Sequence, residues 1–128
     1  VAAAKTEKTK EQRIRTEYNR IKKSYKPLPK ESMNVVEGLI KRAAFMRISL
    51  EDMEEDLMEN GSVEMFSQSD NQIPYERERP VARLYNTMNG NYQKIIRELT
   101  SHLPKDVKEK LDSPEDIMTQ FSKLRGDD

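Results

Sequence analysis

Between Pro80 and Pro104 the apolar residues Val81, Leu84, Tyr85, Met88, Tyr92, Ile95, Ile96, Leu99 and Leu103 recur mostly at steps of three and four. On a helix that spacing draws one continuous stripe, whereas a strand would scatter the same residues over both faces. Pro80 suits a first helical turn, where its missing N–H would have no partner anyway, and Pro104 marks the end. A long amphipathic helix is therefore the element that the rest of the chain must cover. Gly90 stands inside it at a cost of roughly 1 kcal/mol against Ala, unless a second helix crosses closely there.

Other segments follow the same period. Lys5 to Tyr25 lacks Pro and Gly and places Ile14, Tyr18, Ile21 and Tyr25 on a narrow seam amid basic residues, a pattern suited to packing against one other helix. The first ten residues of the chain lack apolar anchors and are read as frayed. Pro27 and Pro29 end the segment. From Glu31 the pattern resumes through Met33, Val36, Leu39, Ile40, Ala43, Ala44 and Met46. Ser49 followed by Asp52 then resembles an N-cap, so either a new helix begins there or one helix bends; a bend or tight junction is the expectation. Leu50, Met53, Leu57 and Met58 continue the stripe to a stop at Asn60 and Gly61. Residues 61–79 read as a long polar loop, with room for a short strand at Ser62 to Phe66; a loop of this length is either functional or a linker. Beyond Pro104, Lys105 to Leu111 can form a short helical turn. Ser113 to Asp116 is a helix start, with Ser at the cap and Pro at the first position.

The chain is thus expected to be all-α, with three to four principal helices and a long polar loop between the second and third. Three regions follow: a basic N-terminal helix or arm over residues 1–30, a helical core and oligomerisation region over 31–104, and a helical tail over 105–128. At 128 residues and 34% hydrophobic content, such a chain needs tight helix packing or a partner to complete its core. The seam on the first helix and the stripe on the third exceed what a small monomer readily covers. They predict a cyclic homo-oligomer with Ile14, Tyr18, Ile21, Tyr25, Tyr85, Met88, Tyr92, Ile95 and Leu99 at its interfaces.

Net charge is zero, but residues 1–30 hold ten Lys and Arg against three Glu, a balance of +7 that the remainder offsets with −7. Such asymmetry points to an arm for a polyanion on an acidic body, or to a solvated charged tail. The absence of Cys removes disulfides and thiolate metal sites and makes a reducing cytoplasm the natural compartment. No apolar run is long enough to span a bilayer, and Val1 to Ala4 is too short for a signal segment. Lacking a starting Met, residue 1 reads as a processed or expression-derived end.

Candidate catalytic chemistry is thin. Six acids between Glu51 and Glu59 lie on one helix, without carboxylates from a second element or a nearby general base. They read as a solvated face rather than a two-metal site, or as a surface for Arg77, Arg79 or Arg83 of a neighbouring subunit. His102, the single histidine, is placed to interact with a helix C-terminus. Tyr85 and Tyr92 share one face and read as packing rather than base-stacking residues. No phosphate-binding glycine loop occurs, and no cofactor or metal is expected.

Two segments resemble a known family. Lys41-Arg42-Ala43-Ala44-Phe45-Met46-Arg47 with Leu50-Glu51-Asp52 and Gly61, and then Leu84-Tyr85-Asn86-Thr87-Met88 with Tyr92, Ile95, Ile96, Leu99 and Leu103-Pro104, are similar to the P27-type small subunit of tailed-phage terminases. The resemblance covers roughly residues 20–104. It implies a non-catalytic ring-forming subunit in the host cell cytoplasm that recognises the packaging start on double-stranded viral DNA. It also implies delivery of that DNA to the large subunit, which carries the ATPase and nuclease. A helix-turn-helix over Val35 to Met58 is disfavoured, because its second helix would bring six acids against phosphates. DNA contact is instead expected at Lys8, Lys10, Arg13, Arg15, Arg20, Lys22, Lys23, Lys26, Lys30, Lys41, Arg42 and Arg47. Ile117, Phe121 and Leu124 are the expected docking face for the large subunit, or else pack on their own body. A reading from another class stays open: a non-enzymatic helical interaction or scaffold protein whose basic arm binds an acidic protein partner.

Overall fold

Thr9 and Gln12 open the first helix with a reciprocal cap: the Thr9 hydroxyl accepts from the Gln12 N–H while the Gln12 side chain accepts from the Thr9 N–H. In the computed structural model, which describes residues 7–111, this helix, α1, runs Lys10–Lys23. It is followed by α2 (Lys30–Asn60), β1 (Val63–Phe66), β2 (Tyr75–Glu78), α3 (Pro80–Ser101) and α4 (Lys105–Leu111). The 31-residue α2 is about 46 Å long at 1.5 Å per residue and serves as the spine. Arg13 reaches Glu51 and Asp52 while Tyr18 reaches Glu37, so α1 runs antiparallel to α2. Arg79 reaches Asp56 and Tyr85 reaches Glu54, while Leu99 packs with Ile40, so α3 is antiparallel as well.

The core sits where these helices meet. Val36, Ile40 and Ala43 of α2 pack with Leu99 of α3 and with Tyr25 from the turn after α1; Tyr18, Ile21, Leu28, Tyr92, Ile95 and Ile96 close around them. Val36 and Ile40 are wholly buried, each worth about 1.5–3 kcal/mol of hydrophobic burial. Tyr25 lies beyond the last residue of α1, two positions short of Pro27. The Tyr25 hydroxyl donates to the Leu99 carbonyl at 2.5 Å, tying the turn to α3. Burial pushes the Tyr25 phenol up to about 12. Of the region expected as a basic helix or arm, α1 and Tyr25 pack on the same core as α2 and α3.

Two expectations are corrected. No bend or junction interrupts α2 at Ser49: helix continues from Lys30 to Asn60, and Ser49 is buried inside it, its hydroxyl without a hydrogen-bond partner. Asp52, four positions from Ile48 on the same spine, pairs with Arg13 instead of taking part in a cap. A helix-turn-helix over this stretch is accordingly absent. The polar loop is in part a β-hairpin, so the fold is helical with a small sheet rather than all-α. β1 falls within the anticipated strand at Ser62 to Phe66, and β2 was not anticipated. They pair antiparallel, Val63 with Glu78, Glu64 with Arg77, Met65 with Glu76 and Phe66 with Tyr75. Gly61, with φ of 74°, makes the turn out of α2, and its N–H bonds back to Leu57. Gly90 meets nothing within 4 Å of a would-be Cβ; no crossing helix explains it.

Candidate nucleic-acid interface

The seam of α1 faces α2, which turns its basic residues into two groups with different surroundings. Arg13 bonds Asp52 at 2.6 Å and Glu51 at 3.2 Å. Arg20 pairs with Glu17, and Arg47 of α2 reaches the same carboxylate at 3.1 Å and Glu51 at 3.4 Å. Glu17, only 6% exposed, is therefore held between two guanidiniums, which compensates the cost of burying its charge. Asp52 and then Glu51 hold the Arg13 guanidinium in its charged form more firmly than usual. Arg13 and Arg47 clamp α1 to α2, and Arg20 shares the Glu17 carboxylate from within α1.

The lysines are placed otherwise. Among the described residues every ion pair uses an arginine or His102; no lysine takes part. Lys22, Lys23 and Lys26 line one shallow groove with Arg20, Thr16 and Asn19. Thr16, Asn19, Lys23 and Lys26 recur at three, four and three residues, so the helical period alone carries Thr16 and Asn19 onto the lysine face. Lys30 begins α2 just beyond the same turn. Arg15 and Lys41 meet in a second groove with Glu11, Ile14 and Tyr18. Lys8 borders the Arg13, Glu17 and Arg47 cluster. Lys10 lies 5.3 Å from the centre of the Phe45 ring, and Lys22 at the same distance from that of Tyr18, cation–π contacts that leave each charge in place. Arg42 turns back to the Gly38 carbonyl at 3.4 Å. The structure thus brings together Lys22, Lys23 and Lys26 in one groove with Lys30 at the start of α2 beyond the turn, sets Arg15 and Lys41 beside each other, and withdraws Arg13, Arg20 and Arg47 into ion pairs.

The acidic stretch of α2 is less solvated than the sequence suggests. Asp56 holds Arg79 at 2.9 Å, and the bonds from Asn60 and Arg79 keep its carboxyl below the usual range. Glu54 accepts from Tyr85 at 3.0 Å. Arg77 pairs with Glu64 and Arg83 with Glu78, so the three arginines expected to meet a neighbouring subunit have partners inside their own chain. Much of the expected interface is likewise internal: Tyr25 and Leu99 are core, and Tyr18, Ile21, Tyr92 and Ile95 pack on it. Ile14, Tyr85 and Met88 are half-buried. His102 caps the end of α3, 3.9 Å from Glu98. Ile117, Phe121 and Leu124 lie outside the described residues.

Among the described residues no cluster of three acids or histidines is arranged to hold a metal, and no helix is long and apolar enough to cross a membrane. No family model, curated protein or solved structure matches the chain.

Proposed function

We propose that the chain is the small, non-catalytic subunit of a tailed-phage DNA-packaging terminase, binding duplex DNA at the packaging-initiation region and delivering it to the large subunit. The observation that carries this reading is the division of labour among cations. Arg13, Arg20 and Arg47 are spent on internal carboxylates, while Lys22, Lys23 and Lys26 share a groove without ion pairs and Lys30 opens α2 just beyond the same turn. Lysines without internal partners can release the counterions of a phosphate backbone without first breaking a structural bond, the sequence-independent part of DNA affinity. Asn19 in the same groove offers a neutral amide donor for positioning on phosphates, whereas the Thr16 hydroxyl already donates to the Gln12 carbonyl at 2.9 Å. The resemblance over residues 20–104 supplies the biological setting. The large-subunit partner, the cyclic homo-oligomer and the host cytoplasm belong to this proposal.

The test is binding to fragments spanning the source phage genome against random duplex of equal length, with large-subunit ATPase as a second readout. A preferred fragment containing the packaging start, and stimulation of the ATPase, is the expected result. Absence of duplex binding at ~50 mM salt, with retention of an acidic protein instead, would replace the proposal with the scaffold reading.

A further inference from the structure

The hairpin has one satisfied face and one unsatisfied face. Opposed residues in an antiparallel pair share a face, so the register puts Glu64, Phe66, Tyr75 and Arg77 together. There Arg77 pairs with Glu64 at 2.7 Å and stacks 3.4 Å above the Phe66 ring, which meets Tyr75 edge-on. The other face sets Val63 against Glu78 and Met65 against Glu76, apolar side chains opposite acids; Glu78 has only an exposed pair with Arg83 at 3.5 Å, and Glu76 has no ion-pair partner among the described residues. Val63 is 49% and Met65 64% exposed. Two strands alone are marginal in water.

The outer edges also differ. Arg79 N–H donates to the Ser62 carbonyl at 2.8 Å, which makes Ser62 and Arg79 a bonded pair. By alternation Glu64 with Arg77 and Phe66 with Tyr75 are bonded too, and the N–H and C=O groups of Val63 and Met65 face away from β2. On β2 the outward row runs from Pro74 to Pro80, prolines guarding both ends. The β1 row has no proline, no lysine and no bulge.

We infer that the outer edge of β1 accepts an extended, basic segment of a partner protein as a third strand. Backbone bonds to Val63 and Met65 supply the attachment. Long basic side chains on the incoming strand lie along Val63 and Met65 and carry their charges towards Glu76 and Glu78, as Arg77 does over Phe66 on the opposite face. Charge decides the occupant. A second copy pairing through its own β1 would lay Val63 and Met65 alongside this edge and so bring no basic side chain within reach of Glu76 and Glu78. The inference is independent of the DNA reading, which concerns the opposite end of α2.

The test uses the full chain, labelled for amide NMR, and a capped heptapeptide of alternating lysine and valine, with a glutamate–valine peptide as control. Expected are shift changes centred on β1, at least tenfold slower amide exchange at Val63 and Met65, and at least tenfold weaker binding in the Glu76→Gln/Glu78→Gln variant. Met65→Pro, which removes one outward donor, should also weaken binding; the charge variant keeps the test decisive if the proline disturbs the hairpin. Equal binding of the acidic peptide, shifts confined to the acids of α2, or unchanged exchange at Val63 and Met65 would overturn the inference. Concentration-dependent protection of these amides without peptide would assign the edge to a second copy and overturn it equally.

Discussion

Gly90 lies within α3 with open space where a Cβ would stand, and Gly61 also has open space but a φ of 74°. The two glycines therefore separate space from backbone conformation. Gly90→Ala should stabilise the fold by about 1 kcal/mol through helix propensity, whereas Gly61→Ala should cost about 1 kcal/mol because an L side chain disfavours that φ; urea midpoints measure both. Tyr25 makes a pH prediction. Its folded value is raised to about 12 by burial, above roughly 10 in the unfolded chain. The unfolded state loses that proton first, so the Tyr25 contribution is intact below about pH 10 and is lost as pH rises towards 12. Urea titrations of wild type and Tyr25→Phe across pH 8–11 should show a steeper alkaline loss in wild type.

At the scale of elements, α3 was legible because its stripe and its prolines agree, and the observed helix begins at Pro80 as the sequence indicates. α2 was legible in content but not in continuity. Ser49 with Asp52 has the spacing of a cap, yet Ile48, Ser49 and Leu50 are all buried, and packing on both sides overrides a local signal worth about 1 kcal/mol. β2 was missed because Tyr75-Glu-Arg-Glu has no apolar alternation; only its prolines and the register with β1 define it. Pairing between α1 and α2 was invisible for a different reason: ion pairs such as Arg13 with Asp52 join residues far apart in sequence. Their separation from the lysines predicts unequal effects. Arg47→Met should destabilise by about 1–2 kcal/mol, since Glu17 would remain buried with Arg20 alone, while Lys22→Met should stay within about 0.5 kcal/mol. Thermal or urea unfolding of the two variants checks the contrast.

Across the whole molecule, among the described residues, part of the charge of each sign cancels in ion pairs inside the chain. Lysines remain without ion pairs at the α1–α2 turn, and Glu55, Glu59 and Glu76 remain so at the far end of α2 and on the hairpin. DNA binding by the lysine end is the central claim, and the salt dependence of duplex binding tests it most directly. The comparison is wild type against Lys22→Ala/Lys23→Ala/Lys26→Ala/Lys30→Ala, with folding checked by circular dichroism. Each lost phosphate contact lowers the slope of log K against log salt by about 0.9, so the account predicts a slope shallower by about 3 to 4 and weaker binding at every salt concentration. An unchanged slope and affinity in the folded variant would contradict it.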